Sequence, residues 1–491
     1  MRWVMGSSVK TVKVKIYRAN KGKADYLEET KKILDQALAF YQQLLLENPT
    51  IVEAEDNLRQ VERLSHRTKD NPNPPYEAPE LPSITKRSVI NTALGSVSSY
   101  LTRLSQWEGK GKKKGRPSLP TASTMPTFYY SDYNLEMKDI QNQFISLRVY
   151  NGYKWGFVNY PVQFTAQFMD KYQGHANHLA FEENKKVVIK ELIMSGLDEK
   201  DAKKETNRAL GINPYEKMCS PSLSYHKKKK TWYLCIPFEK TVYMQKLENY
   251  RKDKEVLTTL AIDLGINHLG VITIKQGDRL LKTEFISGAK VNDIRFHALQ
   301  KITQNQRLSG KPVKGESSNQ LLWDYVQNLN KDTAHQVSSR IITLAKEHKV
   351  DVIIFEHLKN FSQRGVSKAR KLNLKLNYWL CGKIIEYTQY KAYGEKIYVC
   401  QVSAAYTSQI CYRNSFSGER FSFKGANGKS LIMFEDGTVL NADFNASMNL
   451  HRKFYKTFPS IDIGVHKAKK EAILDKIAHI KDKTLQQCRV A

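Results

Sequence analysis

The sequence predicts an α+β protein with more than one domain. Its 491 residues exceed the roughly 250–300 at which a single hydrophobic core stops growing. Residues 9–17 alternate apolar side chains with lysine, which is typical of a half-solvated strand, and residues 24–66 place apolar side chains at helical spacing. Residues 258–274 and 349–361 contain apolar runs that are typical of buried strands. Helices and strands are therefore expected along the whole chain.

Basic residues dominate the charge of the chain. It has 78 lysines and arginines against 49 aspartates and glutamates, which gives a formal net charge of +29. A basic surface with many aromatic side chains suits phosphate neutralisation and base stacking, so a nucleic acid is the expected partner. A membrane surface is the alternative, but no strongly amphipathic basic helix stands near a lipidation site. No apolar run approaches the roughly 18 residues of a membrane helix, and no secretory signal is expected. The six cysteines form no CxxC pair, which favours free thiols in the cytoplasm.

Proline and glycine separate the predicted elements of the N-terminal half. The prolines between residues 71 and 82 cannot continue a helix, and Asn151-Gly152 is a strong signal for a hairpin turn. A charged stretch that ends near residue 257 is expected to link the two halves. The predicted elements are helical stretches at 24–66 and 88–107, a hairpin at 143–164, a helical insertion at about 165–212 and a second hairpin at 220–239.

Three short segments concentrate positive charge. Lysines beside glycine suit contact with phosphates, because glycine lets the backbone approach and lysine supplies the charge. A flexible charged loop or a solvated helix face explains the same residues equally well. The candidate nucleic-acid-binding residues are Lys110, Lys112, Lys113, Lys114 and Arg116 in the first segment, Lys227, Lys228, Lys229 and Lys230 at the tip of the second hairpin, and Lys368, Arg370 and Lys371 in the third.

Three acidic residues stand where apolar patterns end. Asp263 interrupts an apolar strand, where an unpaired charge is costly, and Glu356 closes another. Asp443 precedes a helical run. Taken singly, each fits an ordinary strand-end or helix-start acid equally well. Taken together, they lie at the edges of elements in an order that lets them converge.

Converging carboxylates repel one another unless cations neutralise them. Two Mg²⁺ ions about 4 Å apart activate water and stabilise the leaving oxygen of a phosphodiester, and Mn²⁺ can replace them. Asp263, Glu356 and Asp443 are therefore the predicted catalytic and metal-binding residues. The run that contains Asp263 turns back at Gly265 into a second strand, and an antiparallel pair of this kind opens the RNase H-like fold.

These residues and their surroundings resemble TnpB and the miniature type V CRISPR effector nucleases. The sequences AIDLGINHLGVI, VIIFEHLKN and NADFNASMNL, which contain the three acids, look like the family's three split RuvC motifs. The segment that ends in YTSQIC at Cys411 is similar to the stretch before the family's zinc ribbon. The resemblance covers residues 258–455 well and residues 1–257 weakly.

The resemblance implies a division into domains. These are a wedge-like β-barrel at 1–23 and 108–257, a helical recognition domain at 24–107, a RuvC-like nuclease domain of RNase H-like α/β fold at 258–410 and 439–491, and a degenerate zinc-ribbon-like insert at 411–438 that loads target nucleic acid. It also implies a prokaryotic protein of the cytoplasm that joins the nucleoid when on its target, acts in antiviral defence, and is a monomer or homodimer.

The function implied by the resemblance is that of an RNA-guided DNA endonuclease. A guide RNA would pair with double-stranded DNA beside a short flanking motif, and a single two-metal RuvC site would hydrolyse phosphodiesters. The guide would be a CRISPR RNA, with or without a trans-activating RNA, or a transposon-derived RNA. Two alternatives stay open: an RNA-guided DNA-binding protein without efficient cleavage, and an unguided RNase H-like resolvase or transposase.

The insert departs from the family's pattern in its zinc ligands. Cys411 stands at the first ligand position, but Asn414 occupies the second, and no cysteine or histidine follows up to residue 442. Zinc prefers four nitrogen or sulfur ligands, so a four-cysteine zinc site is not expected. Cys411 is predicted to be a buried small side chain, and the loss of the ribbon favours a CRISPR-associated effector or an intermediate form.

Overall fold

The chain divides into two compact units, each with helices and sheet, which confirms the predicted α+β multidomain class. One unit is Val9–Thr241, and the other is Val242–Ala491 together with Met1–Ser8. Across the helices that can be described, none has the length and apolar character needed to cross a bilayer. The computed structural model describes residues 3–17, 21–67, 71–109, 111, 115–122, 127–137, 143–211, 213–226, 230–309, 319–357, 380–421 and 430–490.

The Val9–Thr241 unit is built on a curled sheet in the order β2-β3-β4-β1-β7-β5, with β6 also paired to β7. Its strands are β1 (Trp3–Ile16), β2 (Tyr133–Met137), β3 (Gln143–Tyr150), β4 (Trp155–Gln163), β5 (Lys217–Met218), β6 (Ser222–His226) and β7 (Thr231–Gln245), so that β1 and β7 each run a few residues past the unit. Its helices are α1 (Lys21–Glu47), α2 (Thr50–Glu53), α3 (Asn57–Ser65), α4 (Ser83–Gly109), α5 (Ala166–Met194) and α6 (Glu199–Leu210).

The predicted hairpin at 143–164 is present as β3 and β4. Gly152 has φ +89°, and the Asn151 side chain accepts from the backbone of the same turn. The helical stretch at 24–66, by contrast, is three helices. Helix α1 ends at Glu47, and Pro49, which cannot continue it, is the N-cap of α2. The apolar stripe of α1 packs against α4 and the sheet, with Leu38 and Tyr41 fully buried.

The second unit contains a five-stranded sheet in the order β10-β9-β8-β11-β12, in which β8, β9 and β10 are antiparallel and β11 is parallel to both β8 and β12. Its strands are β8 (Thr258–Asp263), β9 (His268–Gln276), β10 (Arg279–Ser287), β11 (Val352–His357), β12 (Tyr398–Ser403), and, in a separate three-stranded sheet, β13 (Gly418–Phe421), β14 (Leu431–Phe434) and β15 (Val439–Asn441). Its helices are α7 (Leu247–Asp253), α8 (Ala289–Leu308), α9 (Gln320–Glu347), α10 (Cys381–Gly394), α11 (Ala442–Phe454) and α12 (Ile463–Val490).

Helices cover both faces of the five-stranded sheet. Leu260, Ile262 and Phe355 pack on one face with residues of α9 and α10. Ala261 and Ile354 pack on the other face with Leu450 and Phe454 of α11. Because successive side chains of a strand alternate between faces, the position of every strand residue relative to α11 is fixed.

The charged stretch before residue 257 is not the simple linker that its composition predicts. It contains α7, and Tyr250 of this helix donates to Asp351 at 2.7 Å. Asp351 also accepts from Lys254 and from the backbone of Thr258. The charges of this stretch are thus used to fix the start of β8, which leads directly to Asp263.

Candidate active site

Two of the predicted acids lie side by side at one edge of the central sheet. β8 and β11 are parallel, and Phe355 is in register with Ile262. Glu356 and Asp263 are the next residues of their strands, and neighbouring strands lie about 4.8 Å apart. Alternation along each strand places both carboxylates on the face that α11 covers.

The third acid is supplied by the first turn of α11. The Asn441 side chain caps this helix by accepting from the backbone nitrogens of Asp443 at 3.1 Å and Phe444 at 3.0 Å. Farther along α11, Ser447 donates to the Ala261 carbonyl at 3.1 Å. The helix is thus tied to β8 next to Asp263, and its N-terminus brings Asp443 to the same edge.

His451 fixes α11 to two strands at once. Its Nδ1 lies 2.8 Å from Thr259 Oγ1 and its Nε2 lies 3.1 Å from Thr273 Oγ1, and only 1% of the residue is exposed. Burial lowers the pKa of His451 to about 3, so the ring is neutral. A neutral imidazole has one donor and one acceptor, which matches two hydroxyl partners.

The electrostatics show that the three acids interact. Burial, followed by the charges of Glu356 and Asp443, raises the pKa of Asp263 well above its usual range. Burial also raises the pKa of Glu356, against a hydrogen bond from Thr407 and the charges of Lys453 and Arg420. Carboxylates that disfavour each other's charge in this way create a site that attracts cations.

Two further side chains contact Asp443 that sequence reasoning did not single out. Arg420, on β13, has Nη2 3.2 Å from Asp443 Oδ1, and His268 has Nδ1 3.6 Å from Asp443 Oδ2. His268 lies only five residues after Asp263, within the same motif. This proximity in sequence could have indicated that His268 lies near the acids. Arg420 carried no comparable signal, because its contact depends on how the insert folds.

The donor chemistry of the three acids fits Mg²⁺, which binds carboxylate oxygen. Within the described part of the chain, however, no three His, Cys, Asp or Glu side chains are close enough together to hold a metal as they stand. Arg420 and Thr407 occupy oxygens of Asp443 and Glu356 respectively. For a metal to bind, Arg420 and Thr407 would have to release these carboxylate oxygens or share them with the metal.

Apolar packing and hydrogen bonds join the described residues of the insert. Cys411 is buried, as predicted, and packs with Ile432 and Phe434. Asn414, at the second ligand position of the family pattern, donates to Asp436 Oδ2 at 2.9 Å. A Cβ on Gly418 would lie 2.4 Å from the ring of Phe434, so only glycine lets that ring pack on the backbone. Hydrogen bonds and apolar packing thus join the turns of the insert.

Most of the predicted basic residues lie outside the described part of the chain. Arg116 and Lys230 are described and exposed, and neither belongs to the acid cluster. The residues that lie outside are Lys110, Lys112, Lys113, Lys114, Lys227, Lys228, Lys229, Lys368, Arg370 and Lys371.

The Val9–Thr241 unit has a basic cleft that sequence reasoning missed. The cleft has a volume of about 710 Å³ and is formed by α3 and the start of α4. Burial and the charge of Lys86 lower the pKa of His66 within it. Its charged side chains are Arg59, Arg63, Lys86 and Arg87 against the single acid Glu62.

A second cavity of the same unit combines aromatic and basic side chains. It has a volume of about 700 Å³ and is lined by Tyr17, Tyr225 and Trp232, with Lys15 and Lys230 among its other residues. Lys15 Nζ lies 5.1 Å from the centre of the Tyr17 ring. This combination was not predicted, because the sequence singles out no individual aromatic residue of the N-terminal half.

Two protein families match parts of the chain. Residues 10–151 match the Aq_aa04 family, and residues 382–450 match the Cas12f1-like TNB domain. The second match begins in α10, contains the insert and ends in α11. The segment that contains Arg420 and Asp443 is therefore the part of the chain that is similar to the Cas12f1-like TNB domain.

Two TnpB-like relatives give the family. A TnpB-like protein of Aquifex aeolicus is 30% identical over 236 residues, which cover 46% of this chain and 74% of the relative. A TnpB-like protein of Methanocaldococcus jannaschii is 22% identical over 243 residues, which cover 49% and 80%. The chain belongs to the TnpB-like protein family, and the predicted resemblance is confirmed.

Two CRISPR effectors are among the solved structures that match the chain. A Cas12f1–sgRNA–target DNA complex has 12% identity and a TM-score of 0.49, and the match covers 90% of this chain and 98% of that one. The mini-RNA-guided endonuclease CRISPR-Cas_phi3 has 11% identity and a TM-score of 0.44, with coverage of 91% and 92%. Both matches extend over most of each chain.

Proposed function

We propose that this protein is an RNA-guided, Mg²⁺-dependent DNA endonuclease. The observation that carries the proposal is the convergence of Asp263, Glu356 and Asp443 on one face and edge of the sheet. The strand order, with three antiparallel strands followed by two parallel ones, is that of an RNase H-like sheet and supports a RuvC-type nuclease. Guidance by RNA is proposed from membership of the TnpB-like family and from the basic N-terminal unit.

Within this proposal, the three acids would hold Mg²⁺. The metal would supply water activation and charge stabilisation for phosphodiester hydrolysis. One guanidinium nitrogen of Arg420 contacts Asp443, and the other N–H groups can donate to a further partner. The planar guanidinium suits two oxygens of a phosphate. The chain's own contribution is therefore to fix the carboxylates and to place one cation beside them.

The Val9–Thr241 unit is proposed to bind the nucleic acid. The basic cleft has cations on α3 and α4 that suit a phosphate backbone, and the aromatic cavity has faces on which a base can stack. The shared chemistry is that of a single-stranded or helical polynucleotide. Guide RNA and target DNA are both compatible with it.

Neutralising the basic cleft should weaken nucleic-acid binding through its electrostatic component. Arg63→Ala and Lys86→Ala each remove a cation, so each should reduce the slope of log affinity against log salt by about 0.7–0.9 if that cation contacts a phosphate. Fluorescence anisotropy with labelled RNA and with labelled duplex DNA over a salt series measures this slope. Lys203→Ala, which removes a lysine paired with Glu199 on α6, is the matched control. Unchanged slopes for both cleft variants would place the nucleic acid elsewhere.

A guide-dependent cleavage assay tests the whole proposal. RNA that copurifies with the protein is sequenced, and duplex DNA that matches or mismatches its variable part is added with Mg²⁺. We expect cutting of the matched duplex alone. Cutting of a bare DNA junction without any RNA would instead identify an unguided resolvase.

A second function is favoured by one contact. The ion pair between Arg420 and Asp443 occupies an oxygen that a metal would need, so the protein could bind its target without efficient cleavage. Arg420→Ala separates the two cases. If Arg420 only blocks the metal, the variant cuts better than the wild type, whereas a loss of cutting shows that the arginine assists the reaction.

A further inference from the structure

The loop that follows β12 delivers one side chain to the acid cluster. Thr407, which is 3% exposed, donates its hydroxyl proton to Glu356 Oε1 at 2.9 Å. The same hydroxyl lies 3.0 Å from the carbonyl of Ala404. Because a hydroxyl has a single proton to donate, the two acceptors compete for it. The contact with Glu356 therefore depends on where the loop holds Thr407.

The backbone beside Thr407 is strained. Tyr406 has φ +63°, a left-handed conformation that a residue with a bulky side chain rarely adopts. Strain of this kind persists only where the surrounding structure enforces it, and it is concentrated at functional sites. The forces that hold Thr407 in place must accordingly come from outside the loop.

Three residues of α11 supply those forces. Asn445 and Asn449 are fully buried and lie one helical turn apart, and each donates both to the Thr407 carbonyl and to the Ile410 carbonyl at 2.6–3.3 Å. Lys453, one turn farther along, donates to another carbonyl of the same loop. A buried amide is costly unless its donors are used, and both amides direct theirs to this one loop.

The same helix begins with Asp443. The helix therefore holds Asp443 itself, and it contacts the loop whose Thr407 donates to the second acid, Glu356. We propose that Thr407 is a positioning residue that fixes the Glu356 carboxylate, and that Asn445 and Asn449 set its position relative to Asp443. The cleavage part of this inference rests on the proposed nuclease function, whereas the geometric part does not.

Thr407→Val tests the proposal because it removes the hydroxyl and keeps the shape of the side chain. We expect a 10–100-fold weaker affinity for Mn²⁺, measured by the loss of the free-ion EPR signal, and a similar loss of cleavage rate. RNA binding and thermal stability should stay close to those of the wild type. Thr407→Ser restores the hydroxyl and should bring both quantities back to within a few-fold of the wild type.

The matched control is Thr303→Val, which removes a hydroxyl that bonds within its own helix, α8. It should change neither Mn²⁺ affinity nor cleavage. Asn449→Leu should reproduce the Thr407→Val effect, and the double variant should be no worse than the stronger single variant, because both act through one contact. Wild-type Mn²⁺ affinity in Thr407→Val would overturn the proposal. If the wild type binds Mn²⁺ but cuts no DNA, the nuclease function fails, and the Mn²⁺ comparison still decides the positioning role.

Discussion

Asp263→Asn should lower the rate of phosphodiester cleavage by at least about 10³-fold while leaving RNA and DNA binding nearly unchanged. The reason is that Asp263 lies on the same face and edge of the sheet as the other two acids, and burial followed by the charges of Glu356 and Asp443 raises its pKa. Single-turnover cleavage of a labelled duplex, with binding followed separately, measures the effect. Asp332→Asn, which removes an acid that contacts Gln336 on the surface of α9, is the control. Wild-type cutting by Asp263→Asn would exclude the proposed site.

The same substitution should stabilise the second unit. The folded protein raises the pKa of Asp263, so the native state holds its proton to higher pH than the unfolded chain does. The stability of the wild type therefore falls as pH rises above the unfolded pKa of about 4. Asparagine removes this cost, and we expect a gain of about 1 kcal/mol, or roughly 2–4 °C, at neutral pH. Calorimetry of both proteins over a pH series measures the difference, and an equal or lower melting temperature for the variant would contradict it.

His451→Ala should be among the most damaging single substitutions in the second unit. It leaves the hydroxyls of Thr259 and Thr273 without this buried partner and opens a cavity between the sheet and α11. An unsatisfied buried group costs about 1–3 kcal/mol, and the cavity adds to this cost. We expect a loss of about 2–4 kcal/mol, seen as a lower melting temperature of the transition that contains the sheet.

The pH dependence of stability distinguishes the titration of His451 from its contribution to packing. Its folded pKa, about 3, lies below the unfolded value near 6.5, so between these values the unfolded chain binds the extra proton. The stability contribution is complete above about pH 6.5 and is lost as pH falls, by up to about 1.4 kcal/mol per pH unit. His451→Asn should show a shallower acid dependence than the wild type, whereas the control His297→Asn, at an exposed position of α8, should keep it. An acid dependence as steep in His451→Asn as in the wild type would show that other groups cause it.

Part of the candidate site follows from local signals in the sequence. Asp263 and Glu356 could be singled out because each stands where an apolar run ends, and an unpaired charge in an apolar strand is costly. The burial of Cys411 followed from the absence of partner ligands. These predictions depend on the immediate neighbours of a residue, and neighbours in sequence are also neighbours in a strand or helix.

What could not be predicted depends on contacts between elements. Arg63 and Lys86 lie on separate helices, and each resembles an ordinary solvated charge until α3 and α4 form the cleft. Arg420 reaches Asp443 because β13 pairs with β14, and Thr407 reaches Glu356 because α11 holds its loop. The helical prediction for 24–66 was too long, because the proline at residue 49 cannot continue α1.

The placement of α11 also limits how an inactive form of this protein can be made. The helix supplies Asp443, but it also packs on Ala261, Val352 and Ile354 on one face of the sheet. A chain truncated before residue 442 would expose that face to solvent, and a bare apolar sheet surface promotes aggregation. Such a fragment would lose its solubility together with its acid, so that its failure to cut would carry no information about catalysis. Only point substitutions can separate the two roles of this helix.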